Sequence, residues 1–118
     1  MSPNEFVRFC QSHAPIRVLF RQGRCCPQFY CQSCERPIRN LSSAGIVFGS
    51  WEDAKEGHVQ VALLLCKSSS CLNAPPIRHW LWDELRYGVV HLLQNGGVRS
   101  VAAHERLWKD TRRWDRLF

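Results

Sequence analysis

Two periodicities divide the chain. Apolar residues spaced three to four apart mark its two ends, while short apolar or alternating runs fill the middle. At the N-terminal end, Ser2-Pro3-Asn4-Glu5 has the form of a capping box with proline at the first helical position. Phe6, Val7, Phe9 and Cys10 then predict a short helix to about His13, ended by Pro15. Ile16, Val18 and Phe20 alternate with Arg17 and Leu19, which predicts a strand, and Gln22-Gly23 supplies a turn before Cys25-Cys26-Pro27. Two further short, β-branched or apolar stretches, residues 45–49 and 58–65, flank a polar turn at residues 52–57 and predict a hairpin.

The last third returns to helical spacing. Asn73-Ala74-Pro75-Pro76 marks a boundary. Ile77, Trp80, Leu81, Leu85, Val89, Leu92 and Leu93 then predict one helix from residue 77 to about 94, stopped by Asn95-Gly96-Gly97. Gly88 inside it would admit a close contact. Val101, Leu107, Trp108, Thr111, Trp114 and Phe118 predict a second helix beginning near residue 98 or 100, with the tryptophans anchoring it to the core. The expectation is a single α+β domain over residues 1–118. A small antiparallel sheet carries an N-terminal helix and a C-terminal helical hairpin, in blocks 1–28, 29–73 and 74–118.

Cysteine spacing adds chemistry to this outline. Two residues lie between Cys31 and Cys34, four between Cys66 and Cys71, and 31 separate the pairs. Each pair can place two thiolates on one side of a metal ion, and the predicted strands between them can bring the pairs together, so a single Zn(Cys)4 site is expected. Cys26, with four residues between it and Cys31, or His58 could take the place of one ligand. The two pairs resemble a zinc ribbon or treble-clef zinc finger over residues 29–73. The resemblance implies a structural zinc, and the serines and prolines after the second pair favour a knuckle over the helix of a treble clef. Structural zinc contributes about 10 to 16 kcal/mol in small modules, so the metal would belong to the fold.

Other chemistries find little support. Pro37 and the following loop interrupt any helix after Cys34, which argues against a redox pair. Four thiolates close the zinc shell, the five histidines form no triad by spacing, and no phosphate-binding loop follows a strand, so no enzyme is expected. Seven cysteines, an odd number, and a start that reads as a helix and not as a cationic targeting region point to a reducing, cytoplasmic location. The longest apolar run, residues 61–66, is too short to cross a bilayer.

Charge then suggests a partner. Net charge is +6, with thirteen arginines against three lysines, and arginine suits bidentate contact with phosphate or carboxylate. Arg106, Lys109, Arg113 and Arg116 fall along one stripe of the last predicted helix, with Arg112 beside them. Arg36 and Arg39 follow the first cysteine pair, and Arg17, Arg21 and Arg24 precede it. The expected function is recognition of nucleic acid or a nucleoprotein complex through these residues. The alternative is a protein–protein adaptor or inhibitor, of the kind a mobile element could encode, anchored by Trp82, Tyr87 and arginines on a nucleic-acid-processing complex.

Overall fold

The computed structural model describes residues 1–55 and 57–112, those at 51, 53 and 59 as backbone only. It is an α+β fold built on two three-stranded antiparallel sheets. Helix α1 (Pro3–Gln11) opens the chain as expected: the Ser2 hydroxyl accepts from the Glu5 N–H, Pro3 takes the first helical position, and Phe6, Val7 and Cys10 form the buried face. The first sheet follows with strands β1 (Ile16–Arg21), β2 (Arg24–Tyr30) and β3 (Pro37–Ile38) in that order.

Strand β2 contains a proline, and the sequence pattern there suggests only a turn and a cysteine pair. Pro27 is tolerated because β3 pairs with β2 at Phe29 and Tyr30 alone, so the position that lacks an N–H has no ladder partner on that side. Gln22 and Gly23 both adopt positive φ at the β1–β2 turn, the conformation that matches the twist of a tight hairpin. The result is a two-stranded ribbon in which Arg21 lies opposite Arg24 at the tip and Ile16 opposite Phe29 at the base.

The second sheet has the order β5-β4-β6. Strands β4 (Ala44–Asp53) and β5 (Gly57–Cys66) make the expected hairpin, longer than the apolar runs alone suggest, and Ala44 pairs with Cys66 at its base. Strand β6 (Leu81–Glu84) corrects the expectation of one helix from residue 77. Residues 75–80 form turns in which the Ile77 and Trp80 N–H groups donate to Ala74 and Ile77 carbonyls. Residues 81–84 then pair with β4, Leu81 opposite Phe48 and Glu84 opposite Gly45. Ile77 is buried in the core and Trp80 packs against it, but both reach it from turns and not from a helical face.

Helix α2 (Leu85–Asn95) begins directly after β6 and ends at the Gly96-Gly97 stop, where Gly97 takes positive φ. It lies close against β4: a Cβ added at Gly88 would come within 2.5 Å of the Ile46 Cδ1, so the absence of a side chain permits the approach. Leu63, Leu64 and Leu65 of β5 and Val47 of β4 form one core with Phe6, Val7 and Cys10 of α1, Leu72, Ala74 and Ile77 of the turns, and Leu85 of α2.

Helix α3 (Val101–Arg112) starts where the Ser100 hydroxyl accepts from the Ala103 N–H, but it buries no residue among those described. The expected anchoring by Trp108 does not occur, since that side chain is 67% exposed and Val101 and Leu107 are exposed with it. Trp114 and Phe118 lie outside the described residues. No helix is long and apolar enough to cross a membrane among the described residues.

Candidate metal centre

The four cysteines meet where the two sheets adjoin. Cys31 follows the end of β2, Cys34 closes the next turn, Cys66 is the last residue of β5, and Cys71 lies in the turns that follow it. Their sulfur atoms all lie within 4.8 Å of one another. A tetrahedral zinc with Zn–S bonds of about 2.3 Å places its sulfurs roughly 3.8 Å apart, and the Cys34 and Cys66 sulfurs stand 3.7 Å apart. The spacing fits one ion with four thiolate ligands.

Backbone hydrogen bonds shape each half of the site. In the first, the Cys34 N–H donates to Cys31 Sγ at 3.5 Å, the Glu35 N–H donates to the Cys31 carbonyl, and the Cys31 N–H returns to the Arg36 carbonyl at 2.9 Å. Glu35 adopts positive φ to close this loop, which turns the chain back toward β3. In the second half, the Leu72 N–H donates to the Cys66 carbonyl, the Cys71 and Asn73 N–H groups donate to the Ser68 carbonyl, and no helix begins at Cys71. The Ser68 hydroxyl accepts from Cys66 Sγ at 3.5 Å.

Gln32, between the first two cysteines, gave no signal in the sequence. Its side chain is buried and it joins three elements: Oε1 accepts from the Leu64 N–H of β5 at 2.8 Å, and Nε2 donates to the His13 carbonyl beyond α1 at 3.1 Å. His13 Nδ1 in turn lies 2.8 Å from the Gln32 carbonyl, and its Nε2 is 3.5 Å from Glu35. A buried amide with partners on both of its ends fixes the first cysteine pair to the strand that delivers the second.

As free thiols these groups sit uncomfortably. Burial pushes Cys31 up to about 12 and raises Cys34 as well. Burial also opposes ionisation of Cys71, but hydrogen bonds from Ser68, Ser33, Cys66 and Cys31 outweigh it and bring that thiol down to about 7. A divalent cation inverts this balance, because coordinated thiols lose their protons outright. Cys10 is also buried and near Cys71, and burial followed by the charge of Cys71 pushes it up to about 12.

Neither expected substitute ligand joins the cluster. Cys26 lies on β2 with its thiol directed at the Arg24 carbonyl, and His58 pairs with Glu52 at 2.9 Å near the far end of the β4–β5 hairpin. The basic residues distribute unevenly. Arg106, Lys109 and Arg112 are exposed on α3, while Arg113 and Arg116 lie outside the described residues. Arg36 and Arg39 directly flank β3, and Arg17, Arg21 and Arg24 lie on β1 and β2, so topology gathers all five onto one sheet and its margins. Only one carboxylate, Glu35, falls between residues 14 and 43. It pairs with Arg17 at 3.1 Å, and the Arg17 guanidinium lies 4.6 Å from the centre of the Tyr30 ring. The side chains of Arg21, Arg24, Arg36 and Arg39 have no ion-pair partner among the described residues.

Comparisons with protein-family models, with curated proteins and with solved structures each find no match for this chain.

Proposed function

We propose that Cys31, Cys34, Cys66 and Cys71 hold one structural zinc in a zinc-ribbon-like module, and that the chain is a non-enzymatic binding protein for nucleic acid or a nucleoprotein complex. The observation that carries the second half is the first sheet, whose strands and margins bear five arginines against one carboxylate. Four of those guanidiniums are unpaired among the described residues, and arginine forks match phosphate oxygens. The metal-binding cluster lies between this sheet and the second one, so a bound zinc would hold the basic surface rigid. A zinc with four thiolate ligands keeps no open position for a catalytic water.

Salt dependence tests the reading. Four phosphate contacts predict a slope of log K against log salt of about −3 to −4, so anisotropy of labelled oligonucleotides should fall steeply between low and moderate salt. Absence of binding at the lower salt would reject nucleic acid as the partner. A second reading, a protein–protein adaptor, rests on Trp108, whose indole is exposed on α3 among the described residues, and on the half-exposed Trp82 and Tyr87. It predicts binding that responds weakly to salt and is lost in Trp108→Ala.

A further inference from the structure

The β1–β2 ribbon carries a feature that a simple phosphate-tracking surface does not need. Ile16, Val18 and Phe20 alternate along β1 and so share one face, and they are 57%, 56% and 76% exposed. Their cross-strand partners Phe29, Pro27 and Cys25 continue the same face on β2, where Ile16, Pro27, Gln28 and Phe29 line a shallow concavity of about 260 Å³. Apolar surface of this extent on a charged ribbon is costly in water unless something covers it.

The two arginines of the tip, Arg21 and Arg24, pair in register one position beyond Phe20 and Cys25, so the same alternation sets them on the other face of the ribbon, and both are exposed and unpaired among the described residues. At the tip, where the ribbon ends, their long side chains attract an anion to the edge that both faces share, beside Phe20. A ligand that is both anionic along a backbone and apolar on flat faces satisfies both halves of the ribbon. Unpaired nucleotides have that composition. A duplex does not, because its base faces are stacked inside and its grooves present polar edges.

We propose that the β1–β2 ribbon binds single-stranded nucleic acid, with Arg21 and Arg24 on the phosphates and the face formed by Phe20, Val18 and Ile16 as the surface on which bases lie. This rests on the nucleic-acid reading above and names the form of nucleic acid and the element that takes it. Phe20 supplies the exposed aromatic ring for stacking, and the concavity beside Phe29 is of a size to admit a neighbouring base. Arg17 is held by Glu35 and Tyr30 and stiffens the ribbon base.

The test is fluorescence anisotropy with a labelled single strand and a duplex of the same length at two salt concentrations. The wild-type chain is compared with Phe20→Ala, Phe20→Leu, Phe20→Tyr and the double variant Arg21→Ala with Arg24→Ala, each checked by circular dichroism. The wild type should prefer the single strand. Loss of one stacked base predicts weakening of about 5- to 150-fold in Phe20→Ala, a similar direction in Phe20→Leu, which keeps apolar volume without a π-face, and recovery in Phe20→Tyr. The double arginine variant should make the salt slope shallower by about 1.4. Single-strand binding that all variants retain would overturn the role of the ribbon while leaving nucleic-acid binding intact, and preference for the duplex would overturn it too. Failure of the wild type to bind either oligonucleotide would instead reject the underlying function.

Discussion

Gln32 and Leu64 hydrogen-bond to each other twice. The Gln32 N–H donates to the Leu64 carbonyl at 2.8 Å, and the Leu64 N–H donates to the Gln32 side-chain oxygen at 2.8 Å. This pair of hydrogen bonds joins the turn that carries Cys31 and Cys34 to the strand that ends in Cys66. Gln32→Ala would leave the buried Leu64 N–H without that acceptor and remove the donor to the His13 carbonyl. The expected loss is about 1 to 3 kcal/mol, read from denaturant midpoints. A midpoint unchanged from wild type would show that water or a shifted backbone replaces the amide.

The ligand set makes a sharp contrast between two neighbouring cysteines. Cys31→Ser removes a buried member of the cluster, so it should abolish stoichiometric zinc in native mass spectrometry and much of the soluble yield. Cys26→Ser should retain one zinc per chain, because that thiol lies on β2 outside the cluster. Because ligand thiols must lose their protons to bind, zinc should be released as pH falls, and chelation at neutral pH should unfold the region around both cysteine pairs. An apo-protein with unchanged circular dichroism would count against a structural role for the metal.

Gly49 tests packing at the other end of the second sheet. A Cβ at this position would stand 2.1 Å from the Trp80 ring, so the strand accepts the indole only because it lacks a side chain there. Gly49→Ala must displace that ring and should cost about 1 to 3 kcal/mol, despite the better strand propensity of alanine. The penalty should shrink in a Trp80→Leu background, a coupling that a double-mutant cycle measures directly. Equal penalties in both backgrounds would place the strain elsewhere.

The parts of the fold that sequence pattern revealed are those set by local rules. The Ser2 cap, the β4–β5 hairpin and the Gly96-Gly97 stop all depend on residues within a few positions of one another, and the cysteine cluster on thiol spacing. What pattern missed depends on distant partners. Trp80 and Leu81 continue a helical spacing, yet β4 offers residues 81–84 a ladder, and its hydrogen bonds outweigh the local preference. Pro27 conceals β2 because its tolerance depends on how short β3 is. Trp108 fits a core stripe by phase, but phase cannot supply the surface for it to pack on, and the side chain stays exposed. Gln32 looks like any polar residue in a turn until β5 arrives beside it.

Glu84 gives a prediction in pH. Hydrogen bonds from Lys67 and Arg86, the first at 2.6 Å, hold its carboxyl below the usual carboxylate range despite some desolvation. It is also the last residue of β6 and the cap of α2, so this triad ties the turn after Cys66 to the start of the helix. The folded-state pKa lies below the unfolded one. The stabilisation is therefore present above the unfolded value of about 4.3 and disappears as pH falls through the folded value. Glu84→Gln should then lower the melting temperature at neutral pH. In the acid range, once the wild-type carboxyl is itself protonated, the two proteins should melt together. A difference that persists unchanged into acid would mean that Glu84 acts through packing, and one that grows would reverse the assigned direction.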